Sequence, residues 1–237
     1  MEPSVDPSSP AATGNRQSTR SNYYPMLSDL LKWGKRGDAA DIAVPKGAEV
    51  VVTSKAFPKF LTALKSQPSP SIVLDFGPVI GGNVEFLGDK LGCKLFIEDL
   101  VSELDRHKKA GTMNTMAATI DTRLRQDDAS VDGVLCWDFF DFLDKTAAQA
   151  LAKQISRILR PGGAVMGFFC SSAVERAPFT KYEVIDEGSL RHKHHPGAGG
   201  QKYPLQNRDI IKMFDGLTVA ESFLLKSNTR EILLRKK

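Results

Sequence analysis

The sequence predicts an α/β fold with a doubly wound, mostly parallel sheet of seven strands and a C-terminal antiparallel hairpin. Three observations lead to this prediction. Apolar runs of strand length alternate with helical patterns from residue 71 to residue 170, which favours a parallel sheet covered on both faces. A glycine-rich turn comes after the first of these runs. The last two runs, 217–226 and 230–235, are joined by only three residues, which requires an antiparallel pair.

The first strand and the turn behind it lie in the segment 71–83. The apolar run ends at Asp75, and Gly77, Pro78 and Gly81 come next before the pattern becomes helical. Glycine lets a ligand approach the backbone where a Cβ would clash, and the start of a helix presents unpaired N–H groups. This is where doubly wound sheets bind nucleotide-like cofactors. Because such turns also occur for packing alone, the interpretation depends on the next strand of the chain.

The second strand, 93–97, ends at Glu98 and Asp99, which lie 23 and 24 residues after Asp75. This is close to the offset of about 20 residues at which an acidic side chain accepts hydrogen bonds from ribose hydroxyls. A carboxylate suits that role because it offers acceptors to both hydroxyls of one sugar. The two acids therefore strengthen the prediction of a nucleotide-like ligand.

The other elements follow from hydrophobic periodicity and stop signals. A helix is predicted over 54–65, before the first strand, and the helix that begins with N-cap Asp144 ends at the Pro161–Gly163 turn. The remaining elements are predicted as a helix over 100–116, a third strand over 117–120 ending at Asp121, a fourth over 131–137, a fifth over 164–170, and a short helix over 207–214.

The domain organisation has three parts. Residues 1–22 are rich in Pro, Ser, Thr and Ala and are predicted to be a disordered tail, since they cannot bury enough apolar surface to fold. Residues 23–70 form a helical and extended cap region. Residues 71–237 form the main domain, with a long loop insertion over 171–206.

Composition and charge argue against several classes of function. The net charge is +4, with the excess in the basic C-terminal part, and the lack of interleaved aromatic residues there argues against nucleic-acid binding. Three scattered cysteines provide neither a disulfide framework nor a zinc site. There is no membrane-length apolar run and no signal-peptide pattern, so we expect a cytoplasmic protein without a membrane or metal partner.

From about Ser71 to Lys237, the chain resembles the class I methyltransferase family, which uses S-adenosylmethionine. The resemblance rests on Val73–Gly77, Ile97–Leu100, Asp132–Asp138 and Ile158–Val165, together with the terminal hairpin. It implies that the cofactor contacts Asp75, Gly77, Pro78, Gly81, Glu98, Asp99, Asp121, Cys136 and Trp137.

The acceptor side is less specific, and we expect a small-molecule acceptor. Asp138 comes directly after the fourth strand, and Tyr182 and Tyr203 in the predicted loop could stack on a planar acceptor. His192, His194 and His195 are candidate bases, although a mobile surface is the favoured interpretation of their His-Lys-His-His run.

Two other classes stay open at this point. The turn departs from the regular glycine pattern of the family at Pro78–Val79, so a binding or scaffold protein that has lost catalysis is the main alternative. A nicotinamide-dependent oxidoreductase would need the regular glycine fingerprint. The sequence identifies neither the acceptor nor the oligomeric state.

Overall fold

The computed structural model describes residues 49–237, and of residues 195–198 it describes the backbone only. The predicted tail (1–22) and the first part of the predicted cap region (23–48) lie outside the described residues. Nine strands form two sheets in the described part of the chain. In chain order they are β1 (Glu49–Thr53), β2 (Ile72–Asp75), β3 (Lys94–Ile97), β4 (Val131–Trp137), β5 (Leu159–Cys170), β6 (Val174–Val184), β7 (Ser189–Lys202), β8 (Leu217–Leu224) and β9 (Thr229–Lys236).

The larger sheet has six strands in the order β3-β2-β4-β5-β9-β8. Strands β2, β3, β4 and β5 are mutually parallel, whereas β9 runs antiparallel to both β5 and β8. The carboxyl ends of β2, β3 and β4 therefore lie at the same edge of the sheet. The predicted α/β class, the parallel centre and the antiparallel C-terminal pair are confirmed.

Six helices accompany the strands within residues 49–237, and they cover both faces of the larger sheet. They are α1 (Ala56–Lys65), α2 (Gly81–Asn83, which continues as a π-helix over Val84–Lys90), α3 (Leu100–Ala110), α4 (Met116–Arg123), α5 (Lys145–Ile158) and α6 (Asn207–Met213). Single 3₁₀ turns occur at Met113–Thr115 and Phe139–Phe142. No helix within residues 49–237 is both long and apolar enough to cross a membrane.

Strand β4 shows how the two faces are built, because all seven of its residues are buried. Val134 and Cys136 belong to a core cluster shared with α3, α4, α5 and α6. Leu135 and Trp137 belong to a second cluster shared with α1, α2 and the smaller sheet. This alternation follows from the period of two along a strand, and burial on both faces explains the nearly continuous apolar run in the sequence.

The start of α1 is capped by a residue far away in the sequence. Lys55 occupies the N-cap position without a side-chain cap of its own. The Glu231 carboxylate on β9 instead accepts hydrogen bonds from the N–H groups of Lys55 and Ala56, at 2.8 and 3.0 Å. Glu231 is fully buried, so its charge is compensated by the helix N-terminus. This contact fixes α1 against the sheet.

The smaller sheet is antiparallel, has the order β1-β7-β6 and corrects the sequence prediction. The predicted loop insertion over 171–206 contains β6 and β7, which pair with each other, and β7 also pairs with β1 from the predicted cap region. The alternation of apolar and polar residues that would have indicated β7 is interrupted by the stretch from His194 to Gly200. A strand with so many glycine and histidine residues has little intrinsic β propensity.

The predicted third strand over 117–120 is also wrong, since these residues lie in α4. Met116 and Ile120 are both fully buried, and their spacing of four residues places them on one helical face. Ala117 and Ala118 add helix propensity. The larger sheet consequently has six strands instead of the predicted seven, and β3 is its edge strand.

Candidate cofactor site

The candidate site lies where β2, β3 and β4 end. In the register of the sheet, Asp75 on β2 is paired with Ile97 on β3 and Leu135 on β4. Asp75, Glu98 and Trp137 therefore lie at the ends of three neighbouring parallel strands, at one edge. This is the position where open α/β sheets bind ligands.

Asp75 is buried and surrounded by hydrogen-bond donors. Its Oδ1 accepts from the Gly77 N–H at 2.8 Å and from Trp137 Nε1 at 2.6 Å, while Asn83 Nδ2 lies 3.5 Å from Oδ2. Burial raises the pKa of Asp75 to about 6, and the hydrogen bonds from Gly77, Trp137 and Asn83 oppose this rise. The carboxylate is a preorganised acceptor at the start of the glycine turn.

The glycine turn is crowded at Gly77 and open at Gly81. A Cβ at residue 77 would lie 3.0 Å from two atoms of the Trp137 indole and 3.1 Å from Asp75 Oδ1, whereas a Cβ at Gly81 would meet nothing within 4 Å. Gly81 begins α2, and Pro78 lies beside the turn. A side chain would therefore be crowded at residue 77 but not at residue 81.

The smaller sheet is attached directly to this turn. Asn83 Nδ2 donates to the Tyr182 carbonyl at 2.9 Å, and Asn83 Oδ1 accepts from the Val184 N–H at 2.8 Å. The Asn83 side chain thus holds β6 against the start of α2. Asn83 is absent from the residues predicted from sequence, although a polar residue in the first turn of a helix after a glycine turn was visible.

Trp137 closes the site from the end of β4. Its backbone has φ +49°, in the left-handed region that a bulky residue rarely adopts. Its indole stacks on Tyr182 with ring centroids 5.1 Å apart and ring planes 2° apart, and Tyr182 stacks in turn on Phe168 at 4.9 Å. The three rings form a buried column between the two sheets.

Glu98 and Asp99 make different contacts. Asp99 is the N-cap of α3, has φ +38°, and accepts hydrogen bonds from the N–H and the hydroxyl of Ser102. Glu98 Oε1 accepts from Gln126 Nε2 at 2.8 Å, and Arg123 Nε lies 3.6 Å from its Oε2. Both oxygens of Asp99 accept hydrogen bonds that stabilise the start of α3. A ligand could therefore use Glu98 with less disturbance of the fold.

The other predicted cofactor residues divide into two groups. Cys136 is buried beside Trp137, and burial raises the pKa of its thiol well above the usual value. The prediction that Asp121 ends a strand is wrong: Asp121 is exposed on α4 and accepts a hydrogen bond from Gln154. The helical conformation of residues 116–123 turns this carboxylate towards α5.

On the acceptor side, the structure brings Asp138 and Tyr182 together but leaves Tyr203 apart. Asp138 and Tyr182 are buried and line the same cavity. Burial, followed by the charges of Asp138 and Asp141, raises the pKa of the Tyr182 hydroxyl well above its usual value. Tyr203 is 42% exposed and its hydroxyl contacts Gln201, so it is not part of this cavity.

Of the candidate histidines, His192 packs edge-on against Tyr182, with centroids 4.7 Å apart. Burial lowers the pKa of His192 to about 4, which keeps it neutral near pH 7. His194 Nδ1 lies 3.4 Å from the hydroxyl of Thr180, a residue that lines the cavity. The side chain of His195 lies outside the described part of the structure.

Lys202 is a functional candidate that was not predicted from the sequence. Its Nζ lies 2.8 Å from Asp138 Oδ2 and 3.3 Å from Asp141 Oδ2. Asp141 is fully buried, and the Cys170 N–H donates to it. Desolvation lowers the pKa of the Lys202 ammonium group, but the charges of the two carboxylates outweigh it and raise this pKa well above its usual value, whereas burial raises the pKa of Asp141 to about 6. No pattern in the sequence links Lys202 to acids that lie 64 and 61 positions away.

The cavity between these groups is small. It is lined by Gly77, Pro78, Ile80, Cys136, Trp137, Asp138 and Tyr182, among others, and its free volume is about 10 Å³. That is room for about one water molecule, whereas small-molecule sites commonly measure about 300–1,000 Å³. The polar groups suit a nucleoside cofactor with an amino-acid tail, but the space in this conformation does not hold one. Among the side chains that the structure describes, residues 49–194 and 199–237, no cluster of three or more His, Cys, Asp or Glu is arranged to hold a metal ion.

The fold is α/β, and its candidate cofactor site lies where β2, β3 and β4 end. Residues 74–167 match the family model described as "Methyltransferase domain". This match supports the class I methyltransferase resemblance seen in the sequence.

Individual relatives extend this comparison. The chain is similar to a sarcosine/dimethylglycine N-methyltransferase of Halorhodospira halochloris, with 32% identity over 151 residues, or 60% of this chain and 51% of the relative. The chain thus spans about half the length of that curated relative.

Solved structures with similar folds include two methyltransferases. One is the glycopeptide N-methyltransferase MtfA in complex with S-adenosyl-L-methionine (TM-score 0.43, 15% identity, 77% of this chain and 93% of that chain). The other is a Burkholderia thailandensis 1,6-didemethyltoxoflavin-N1-methyltransferase with S-adenosylhomocysteine (TM-score 0.46, 16% identity, 77% of each chain).

Proposed function

We propose that this protein transfers a methyl group from S-adenosylmethionine to a small-molecule acceptor. The observation that carries the proposal is the buried Asp75 at the end of β2, with the Gly77 N–H on its carboxylate and a second acid, Glu98, one residue beyond the neighbouring strand. This arrangement lies within the segment that matches the methyltransferase family. A cytoplasmic location, expected from the sequence, is part of the same proposal.

Each part of the cofactor has a matching group at this edge. Asp75 is an acceptor for the ammonium group of the methionine tail, and the glycine turn allows close approach of the backbone. Glu98, or Asp99 at the cost of the α3 cap, is the acceptor for the ribose hydroxyls. The cofactor supplies an activated methyl group, and the protein supplies orientation and a site without bulk water.

The acceptor side is built around Asp138. Its carboxylate lines the cavity and is held by Lys202, while Tyr182 provides an aromatic wall. In this proposal Asp138 accepts a hydrogen bond from the acceptor and orients it, and Lys202 positions Asp138. The cluster of Asp138, Asp141 and Lys202 has a net charge of −1 when both carboxylates are ionised, which favours an acceptor that carries a basic nitrogen.

The curated relative supports the same class of acceptor, since its name specifies N-methylation of sarcosine and dimethylglycine, two small amines. The two solved structures are also named as N-methyltransferases, but their similarity is too low to add weight. The amine class is therefore supported by the charge of the cluster and by one relative.

One observation favours a second candidate function. The free volume of about 10 Å³ beside Asp75 and the irregular glycine turn would suit a binding protein with a methyltransferase fold that has lost catalysis. This alternative predicts no affinity for the cofactor, so a binding measurement separates the two.

The test is calorimetric titration with S-adenosylmethionine and S-adenosylhomocysteine. We expect micromolar binding by the wild type, and a loss of about tenfold, or 1.4 kcal/mol, in Glu98→Gln. Asp121→Asn is the matched control, because Asp121 lies on α4, and it should bind like the wild type. Absence of binding by the wild type would refute the proposal and favour the scaffold function.

A further inference from the structure

We infer that the side chain of Trp137 is an internal competitor for the cofactor. In the conformation of this structure, which we call closed, the indole N–H donates to the Asp75 carboxylate and the ring fills the space beside the glycine turn. The cofactor therefore binds only when the indole turns away. This inference rests on the proposed function, because it concerns the same site. It adds a residue that sets the affinity of the site by occupying it.

The contacts of Asp75 identify which donor can be exchanged. The Gly77 N–H belongs to the turn itself, and Asn83 lies at 3.5 Å while its amide is used to hold β6. The Trp137 indole N–H, at 2.6 Å, is on a side chain with rotatable bonds. A donor from a ligand can therefore replace the indole without disturbing the turn or the smaller sheet.

The position of the ring explains why there is so little space. A Cβ built on Gly77 would be 3.0 Å from both Cδ1 and Nε1 of Trp137, so the indole lies directly against the backbone of the turn. Trp137 is only 5% exposed. The place that a glycine leaves free for a ligand is taken by an aromatic side chain of the protein.

Two further observations support the inference that the Trp137 indole has two alternative positions. Trp137 has φ +49°, and bulky residues in this region are held there by their surroundings and cluster at ligand clamps and switches. The surroundings here are Tyr182 and Phe168, which stack in line with the indole. Since Tyr182 is fixed to the turn through Asn83, this column favours the closed position of the indole.

The competition has a quantitative consequence. When only a fraction of the molecules is binding-competent, the apparent dissociation constant is the intrinsic one divided by that fraction. If the indole is turned away in about one molecule in ten, the closed conformation costs about tenfold in affinity. Removing the indole N–H should recover most of this factor.

Trp137→Phe is the variant that tests this directly, because it retains an aromatic ring for the stack and removes the donor to Asp75. We expect S-adenosylhomocysteine to bind Trp137→Phe about tenfold more tightly than the wild type in calorimetric titration. Trp137→Leu, which also abolishes the stack, should bind at least as tightly as Trp137→Phe. Thermal unfolding of each variant establishes that it is folded under the conditions of the titration.

The outcomes separate this inference from the proposed function. If the wild type binds and Trp137→Phe binds equally or more weakly, the indole does not compete and the inference is overturned while the cofactor site stands. If neither the wild type nor any variant binds, both fail.

Fluorescence provides a second, independent readout. The chain has two tryptophans, Trp33 and Trp137, so the Trp33→Phe variant reports on Trp137 alone. Saturation with S-adenosylhomocysteine should shift its emission to longer wavelength, because the indole leaves a buried stack. Unchanged emission at saturation would contradict the inference.

Discussion

Replacing Lys202 by methionine tests how the protein tolerates buried charge at the end of β4. Lys202 is the cation that lies between Asp138 and Asp141, and its side chain is 14% exposed, whereas those of the two acids are 6% and 0% exposed. Methionine has a similar length and no charge. The substitution therefore removes the ammonium group with little change of volume.

The expected loss of unfolding free energy follows from the two buried carboxylates, Asp138 and Asp141, that are left without their cation. Removing one partner of a buried ion pair costs about 3–5 kcal/mol, and because Lys202 retains some exposure we expect the lower end, about 3 kcal/mol. Burial already raises the pKa of Asp141 from 3.8 to about 6, against the opposing charge of Lys202. Without that charge, the pKa of Asp141 in the folded protein rises further.

The sign of the pH dependence can be worked out from this rise. A carboxyl whose pKa is higher in the folded than in the unfolded protein binds its proton more tightly when folded, so its ionisation destabilises the fold as pH increases. At pH 5, Asp141 is protonated in both folded proteins, so the loss in Lys202→Met should be smaller than at pH 8 and should reflect mainly the lost pair with Asp138. At pH 8, the wild type keeps an ionised, paired Asp141 and the loss reaches its full value.

Urea unfolding at pH 5 and pH 8 measures this difference. Lys193→Met is the matched control, because Lys193 lies on the same strand, pairs with Glu49 and Glu183, and is 38% exposed. An exposed pair of this kind contributes about 0–1 kcal/mol. The reasoning is refuted if Lys202→Met costs no more than the control, or if its cost is equal at both pH values.

Two further substitutions test the packing of α1. Glu231→Ala should lower the free energy of unfolding by about 3 kcal/mol, because it leaves buried N–H groups at the start of α1 without an acceptor; Glu231→Gln, which keeps an acceptor oxygen, should cost about 1 kcal/mol. Equal losses for the two variants in urea unfolding would contradict this role. Gly133→Ala should cost about 1–3 kcal/mol, since its Cβ would lie 2.6 Å from Leu64 and 2.8 Å from Phe60. Gly88→Ala, with nothing within 4 Å, is the control and should be neutral in the same assay.

Local sequence patterns were sufficient to predict the strands whose carboxyl ends form the candidate cofactor site. The apolar run before Asp75 and the fully buried β4 bury residues in a way that leaves a direct trace in the sequence, and the run before Glu98 was recognisable from its composition although β3 is a partly exposed edge strand. The N-cap at Asp144 was likewise predicted, and its carboxylate accepts from the Ala147 N–H at 2.8 Å. These features depend on residues within a few positions of one another.

The elements that were predicted wrongly depend on distant contacts or on ambiguous periods. Four residues from Ala117 to Ile120 cannot distinguish a strand from a helix, and only the burial of Met116 together with Ile120 settles the period. Strand β7 is stable because it lies between β1 and β6, not because of its own composition. Lys202 could not be recognised as part of the site, since its partners Asp138 and Asp141 are 64 and 61 residues away.

Asn83 shows why the two halves of the site cannot be treated separately. Its amide connects the first turn of α2 to β6 through both of its polar atoms, and β6 carries Tyr182, on which Trp137 stacks. Trp137 in turn donates to Asp75. These contacts therefore connect Asn83, through Tyr182 and Trp137, to Asp75 at the end of β2, where the glycine turn begins. Since each link is a specific hydrogen bond or a stacked pair, a change in the smaller sheet alters the position of the indole. If the indole competes for Asp75 as we infer, the affinity for a ligand there depends in part on the sheet that also carries Lys202, the partner of Asp138.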